Sequence, residues 1–128
     1  MKRAIGIGGV FIKSKDPKAL SAWYKKHLGI NILDWGGAVF DWKEQSAEVK
    51  NGATIWSMFP DDSDYFDPSD QKVMINYVVD NVVELAKVLR EEGVEVIGEV
   101  KEEFQGKFIW VMDPEGRKVE LWEPNSEM

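Results

Sequence analysis

Apolar residues along this chain follow two periodicities in a fixed order, first a spacing of two and then a spacing of three to four. Residues 4–13 are predicted to form a strand, which its glycines weaken, and the apolar residues that follow recur at helical spacing. Asp16-Pro17 predicts the start of this helix, and Gly29 predicts its end. Three further strands are then expected, at 30–35, 38–42 and 53–59.

The second half of the chain repeats this order. Residues 73–79 form a predicted strand, and Asn81 with Glu84 has the form of a capping box that opens a helix. Gly93 is expected to end that helix. Three strands follow, at 94–97, 104–112 and 118–123.

The two halves match at an offset of 64 residues, at positions where backbone geometry favours one residue type. The agreement is poor between 36 and 50, where a local shift is expected. The chain is therefore predicted to be a single domain, 1–128, in which module one (1–60) and module two (72–128) flank an acidic linker (61–71). The matches are Asp16 with Asp80, Gly29 with Gly93, Ile30 with Val94, Ile32 with Val96, Gly52 with Gly116, and Pro60 with Pro124.

Composition narrows the classes of function. The net charge of −7 and the pI of about 4.8 disfavour a nucleic acid or an anionic membrane as a partner. The chain has no cysteine, which fits a reducing, cytoplasmic location. Hydrophobic residues make up 44% of the 128 residues, enough to predict a packed globular fold. No apolar run approaches the length of a membrane span.

One carboxylate occupies an unusual position in the last predicted strand. The residues at 113–116, Asp-Pro-Glu-Gly, are typical of a tight turn, and the strand after them alternates. Val119 and Leu121 share one face of this strand, whereas Glu120 shares the other with Trp122. Because carboxylates are rarely buried without partners, Glu120 either lies on a solvated sheet face or points into a cavity.

The repeated strand–helix–strand–strand–strand unit resembles the vicinal oxygen chelate superfamily, which includes glyoxalases, bleomycin-resistance proteins and ring-cleaving dioxygenases. The resemblance covers nearly the whole chain. It implies an α+β fold in which two tandem βαβββ modules form a cupped antiparallel half-barrel around a cavity, and it implies a homodimer. The motifs that carry it are Lys15-Asp16, Trp23-Tyr24, Leu28-Gly29, Asp113-Pro114-Glu115-Gly116 and Val119-Glu120-Leu121-Trp122.

Metalloenzymes of this superfamily take ligands from the first and last strands of each module. The resemblance implies that the corresponding positions here are Gly9, Val73, Trp56 and Glu120. Only Glu120 has a metal-binding side chain, and a catalytic divalent ion typically needs three protein ligands. We therefore expect neither a metal nor another cofactor. The only histidine, His27, lies near the end of the first helix and is expected to be structural.

Strand parity, extended through the repeat, predicts the side chains that line the cavity. Trp23 lies on the helical stripe and is expected in the core. Tyr65 and Phe66 are aromatic residues within the acidic linker and are expected to pack over a cavity mouth. Lys118 is an alternative polar group of the cavity. The expected ligand-binding residues are Phe11, Lys13, Trp56, Ile75, Tyr77, Trp110 and Trp122.

Three classes of function fit these residues. The first is a metal-free protein that binds a planar or cationic small molecule between aromatic walls, beside one buried carboxylate. The second is a glyoxalase-like lyase or isomerase in which Glu120 is the catalytic residue, a general base on a carbon acid. The third is a structural or interaction protein whose cavity is filled. The first is favoured, because a filled apolar interior would leave Glu120 desolvated.

The purified protein is predicted to contain no stoichiometric transition metal, because Gly9 and Val73 supply no side-chain donor. Elemental analysis of protein purified without a chelator measures this directly. The finding that would contradict it is about one Zn, Ni, Mn or Fe per chain that disappears in the Glu120→Gln variant.

Overall fold

The computed structural model describes residues 1, 3–42 and 52–125, and these form seven strands and two helices. The predicted α+β class is confirmed. Neither helix of these described ranges is long and apolar enough to cross a membrane. The elements are β1 (Gly6–Ser14), α1 (Pro17–Leu28), β2 (Ala38–Asp41), β3 (Ala53–Pro60), β4 (Val73–Val78), α2 (Val82–Glu91), β5 (Val96–Glu103), β6 (Gly106–Met112) and β7 (Lys118–Pro124).

All seven strands belong to one sheet in the order β2-β3-β1-β4-β7-β6-β5. β1 and β4 run antiparallel at its centre, so the sheet is continuous from module one to module two. In each module the last strand returns beside the first and parallel to it, as β3 beside β1 and β7 beside β4. The expected antiparallel pairing is corrected in these two pairs. Between β4 and β7 the chain reverses an even number of times, which makes their pairing parallel.

The predicted strand at 30–35 is not formed, because the chain turns there. Gly36 N donates to Leu33 O at 2.9 Å, and Leu33 N donates to Gly37 O at 2.8 Å. Gly36 has a φ of 100°, a conformation that glycine adopts without strain. These bonds use backbone groups that a strand would share with a neighbour. The apolar residues of 30–35 therefore do not add a strand to module one.

Both helices begin and end at the predicted residues. The Asp16 side chain accepts a hydrogen bond of 3.1 Å from a backbone N–H in the first turn of α1, and Gly29 ends the helix with a φ of 67°. In α2 the Asn81 side chain accepts from Glu84 N at 3.0 Å, and Gly93 follows the helix with a φ of 82°. The predicted caps are confirmed.

At the helix starts the structural repeat is one residue longer than the offset of 64 that the sequence suggests, since the N-cap residues Asp16 and Asn81 are 65 positions apart. The strands show the same shift. Trp56 packs on Tyr24 of α1 with 5.0 Å between ring centroids, whereas Glu120 is level with Asn76 on the opposite side of the sheet. Because a shift of one residue moves a strand's side chains to the other face, Trp56 is not the structural counterpart of Glu120 in module one.

The two faces of the sheet carry separate cores. We call the face covered by both helices the helix face, and the opposite one the carboxylate face, because Glu120 lies on it. Full burial of an aliphatic or aromatic side chain in either core stabilises the fold by about 1.5–3 kcal/mol. The buried residues of the helix face are Val79, Val82, Leu85, Ala86, Ile109, Val111 and Leu121, and those of the carboxylate face are Phe11, Phe66 and Met74.

α1 covers its half of the helix face less completely than α2. Among the described elements α2 packs on β5, β6 and β7, whereas α1 packs chiefly on β1 and β3, because 30–35 form a turn in place of a strand. Ser21 is the one buried residue of α1. Trp23 is 51% exposed and Leu28 is 64% exposed, so the prediction that Trp23 belongs to the core is wrong.

The unequal packing predicts unequal costs for the same substitution in the two helices. Leu85 is 2% exposed, and Leu85→Ala should lower the free energy of unfolding by about 2–5 kcal/mol. Leu28→Ala, the matched change in α1, should alter it by less than about 0.5 kcal/mol. Urea unfolding of both variants measures the difference. Equal losses would mean that α1 is covered in solution, contrary to its exposure here.

Candidate functional site

Glu120 lies in the middle of β7, and the two strands beside it determine its surroundings. Asn76 of β4 and Trp110 of β6 are level with it. Because residues level with one another share a face of the sheet, all three side chains project from the carboxylate face. The structure thus places Glu120 and Trp122 on a common face, as the alternation in the sequence predicts.

The Glu120 carboxylate is 2% exposed and accepts three hydrogen bonds from neutral side chains. Tyr65 Oη donates to Oε2 at 2.5 Å, Trp110 Nε1 donates to the same oxygen at 2.8 Å, and Asn76 Nδ2 donates to Oε1 at 2.6 Å. Within the described residues no ion pair joins it to a lysine or arginine. The carboxylate is therefore stabilised by dipoles while its charge stays unpaired.

The Asn76 amide donates to Glu120 through its nitrogen, and its oxygen takes no part in this bond. Its Oδ1 is buried and has no hydrogen-bond partner in the described part of the chain. A Cβ atom at Gly8 would overlap this oxygen, so only glycine fits there. The register of β1 is irregular between Ile7 and Gly9, at the point of this close approach. A buried carbonyl oxygen without a hydrogen bond costs about 1–3 kcal/mol of stability. The bond to Glu120 therefore holds the Asn76 amide in this orientation despite that cost.

The acidic linker crosses the carboxylate face and covers Glu120. Phe66 is 1% exposed, and both it and Tyr65 lie 5.2 Å from the Phe59 ring, with Tyr65 stacked at 13°. The two aromatic residues of the linker thus pack on the sheet, whereas the expected cavity mouth beneath them stays a prediction. Lys118 Nζ donates to Tyr65 O at 2.6 Å and so joins the linker to the start of β7.

Two lysine ammonium groups lie over aromatic rings of this face. Lys118 Nζ is 5.1 Å from the centroid of Tyr65 and 5.4 Å from that of Trp110, and Lys13 Nζ is 5.3 Å from that of Phe66. Burial lowers the pKa of Lys118, and the negative charges of Glu120 and two linker aspartates oppose this effect. Burial, followed by the charge of Glu120, raises the pKa of the Tyr65 hydroxyl.

Three parallel rings extend along β6 and β7 from the Glu120 site. Phe108 lies between Trp110 and Trp122, at centroid distances of 6.3 and 6.2 Å and interplanar angles of 11° and 3°. Trp122 Nε1 donates to Gln105 O at 2.9 Å, which fixes the far end of the row. Trp122 is buried and Phe108 and Trp110 are half-buried, so these rings form a partly open aromatic surface beside the carboxylate.

The structure brings some of the predicted ligand-binding residues to Glu120 and not others. Phe11, Lys13, Trp110 and Trp122 lie on its face. The placement of Trp56, Ile75 and Tyr77 on that face is wrong, because the shift of one residue in the repeat sends all three to the helix face. Ile75 and Tyr77 line a different pocket there, of about 470 Å³, beside Val119.

The two strongest partners of Glu120 were missed as site residues. Asn76 is the one polar side chain in the apolar strand β4, which is a sequence signal that could have been used. Tyr65 is remote in sequence and reaches Glu120 only because the linker folds back over the sheet. No local pattern specifies that contact.

The residues around Glu120 do not fit a catalytic metal ion. The first-strand positions that correspond to the family pattern on this face hold Gly9 and Met74, and neither side chain offers an oxygen or nitrogen donor. Val73, the position expected from the offset of 64, is 46% exposed and lies on the helix face, which corrects that expectation. Within residues 1, 3–42 and 52–125 no group of three or more His, Cys, Asp or Glu side chains could hold a metal.

The two modules, their central antiparallel strands and the two helices on one face define a glyoxalase-like fold, that of the vicinal oxygen chelate proteins. The resemblance noted in the sequence is confirmed at the level of the fold. No family model and no curated protein sequence matches the chain.

Solved structures with this fold include two methylmalonyl-CoA epimerases. A serine-to-threonine variant of the Streptomyces coelicolor enzyme, in complex with 2-nitronate-propionyl-CoA, superposes with a TM-score of 0.70 at 18% identity over 96% of each chain. The Mycobacterium tuberculosis enzyme gives 0.66 at 19% identity, covering 99% of this chain and 93% of its own. Hypothetical protein BH1468 from Bacillus halodurans C-125 gives 0.64 at 15% identity over 94% of each chain. At these identities the likeness shows the fold alone.

Glu120→Gln is predicted to change the free energy of unfolding by less than about 1 kcal/mol. The amide oxygen can keep the bonds from Tyr65 and Trp110, and rotation of the Asn76 amide offers its unpaired oxygen to the new NH2 group. Glu120→Leu should cost several kcal/mol, since it leaves three buried donors without an acceptor. Urea unfolding compares the two variants, and similar losses would show that the three bonds contribute little.

Proposed function

We propose that this protein binds a small organic cation with a planar apolar part on the carboxylate face, without a metal. The observation that carries the proposal is the Glu120 carboxylate, buried among neutral donors beside a surface of aromatic rings. An unpaired buried anion favours a cation close to it. Aromatic faces favour the same charge and also accept a flat apolar group.

The chain's own ammonium groups support this ligand class. Lys118 and Lys13 already place positive charges over Tyr65, Trp110 and Phe66 at 5.1–5.4 Å. A contact of this kind contributes about 0.5–1 kcal/mol at exposed sites and about 2 kcal/mol when desolvated. The surface thus has the geometry that a ligand cation would use, and Lys118 is the group that such a ligand would compete with.

The distribution of acidic residues along the chain also favours a cationic ligand. Residues 61–128 contain eighteen acidic and seven basic side chains, whereas residues 1–60 contain five and nine. Five of those acidic residues are the aspartates of the linker, and Asp64 and Asp67 act on the charge of Lys118 at the site. A negative potential around an aromatic site raises the local concentration of cations and disfavours anions.

A second candidate is a structural or interaction protein that binds no small ligand. The burial of Phe66 at 1% and of Glu120 at 2% favours it, because linker side chains fill the face that a ligand would occupy. The two candidates differ in whether a cation can reach Glu120.

Titration calorimetry with benzyltrimethylammonium tests the first candidate. The wild type is expected to bind it, and Glu120→Gln should weaken binding at least about tenfold, which corresponds to about 1.4 kcal/mol for the lost charge. Trp23→Leu removes a half-exposed tryptophan from α1 and should leave the affinity unchanged. Benzoate, of similar size and opposite charge, should not bind.

Two results would overturn the proposal. One is an equal affinity for benzoate, which would show that the site does not select positive charge. The other is an unchanged affinity for benzyltrimethylammonium in Glu120→Gln, which would place any binding elsewhere on the chain.

A further inference from the structure

The closed arrangement of the carboxylate face leaves a ligand no direct route to Glu120. Tyr65 Oη lies 2.5 Å from the carboxylate, and the Tyr65 ring stacks on Phe59. The hydroxyl thus occupies the place of a ligand's polar group, and Lys118 supplies a positive charge over the same ring at 5.1 Å. The Tyr65 hydroxyl and the Lys118 ammonium group therefore occupy the positions that the polar and cationic groups of a ligand would take.

The backbone bonds given for the acidic linker form local turns, one of which starts at Pro60, the last residue of β3. Ser63 N donates to Pro60 O, Asp67 N to Asp64 O, and Ser69 N to Phe66 O, each at 2.9–3.0 Å. Lys72 directly follows the linker, and its carbonyl oxygen accepts a hydrogen bond of 2.9 Å from Lys13 N of β1. The linker can therefore leave the sheet without breaking a strand ladder or its own turns.

The bonds that fasten the linker to the sheet are few and involve side chains. One is from Tyr65 Oη to Glu120, and another is from Lys118 Nζ to Tyr65 O at 2.6 Å. The apolar fastening consists of Tyr65 and Phe66 against Phe59 and the small core formed with Phe11 and Met74. The five aspartates of the segment repel one another in the closed position.

We propose that the acidic linker is a gate that opens as a unit between Pro60 and Lys72, held closed by the buried ring of Phe66 and by the bond from Tyr65 to Glu120. This inference rests on the proposed function for its biological meaning, because the gate admits the organic cation. Tyr65 is a positioning residue in the closed state and a competitor of the ligand. The apparent affinity for a ligand is the intrinsic affinity reduced by the fraction of molecules that are open.

Hydrogen exchange measured by NMR tests the gate without any ligand. The amides of Ser63, Asp67 and Ser69 should exchange through one common opening, faster than the amides of β4 and β7. Tyr65→Phe keeps the ring and removes only the hydroxyl, and it should speed this exchange by about ten- to a hundredfold, as expected for a lost bond to a charged group. Tyr24→Phe removes a hydroxyl on the helix face and should have no effect.

Two exchange results would overturn the gate. In the first, the linker amides exchange only as slowly as those of β4 and β7, so that the segment opens only on unfolding. In the second, they exchange fast and Tyr65→Phe does not alter the rate, so that the hydroxyl does not hold the segment closed. Either result stands whether or not a ligand binds.

Calorimetry with benzyltrimethylammonium then separates the gate from the proposed function. If both are correct, Tyr65→Phe should tighten binding by the same factor by which it speeds exchange, up to the intrinsic affinity of the open state. Faster opening with unchanged affinity would overturn competition between Tyr65 and the ligand and leave binding intact. Absence of binding in every variant would overturn the proposed function. The gate would then be confirmed or overturned by the hydrogen-exchange rates alone.

Discussion

The carboxylate of Glu120, which is buried and makes no ion pair with the described residues, is the constraint on which the rest of this structure depends. It takes donors from three separate parts of the chain: β4, β6 and the acidic linker. Each donor imposes a further requirement. Asn76 leaves an oxygen unpaired and demands glycine at Gly8, and Tyr65 brings the linker across the sheet. Since an isolated buried charge would cost many kcal/mol, these contacts hold together or fail together.

Much of the fold could be predicted from the sequence, because helix ends and turns are local. Asp16, Gly29 and Asn81 cap the helices where their residue types require it. The face of Glu120 followed from alternation within a single strand. Faces inferred through the repeat failed at Trp56, because the structural offset between the modules differs by one residue from the sequence offset of 64, and a shift of one residue moves a strand's side chains to the other face. The contact of Tyr65 with Glu120 joins residues 55 positions apart, and no local rule specifies such a pair.

The two modules use one architecture for different purposes. Module two buries its helix on three strands and supplies Glu120, Asn76 and Trp110. Module one has a turn where module two has a strand, and its helix leaves Trp23 and Leu28 half exposed or more. Polar chemistry on the carboxylate face is therefore concentrated in module two, and module one contributes mainly the apolar side chains Phe11, Ile55 and Phe59.

The position of Trp110 gives the protein an intrinsic optical reporter. Its indole N–H binds the Glu120 carboxylate, and its ring meets Tyr65 edge-on at 6.3 Å. Trp23 and Trp35 are 51% and 53% exposed, so a soluble quencher such as iodide would extinguish their fluorescence first. The emission that remains comes from more shielded indoles, and among these Trp110 has its N–H directed at a buried charge. Its wavelength would follow the electric field of that carboxylate and make the state of the site visible without a label.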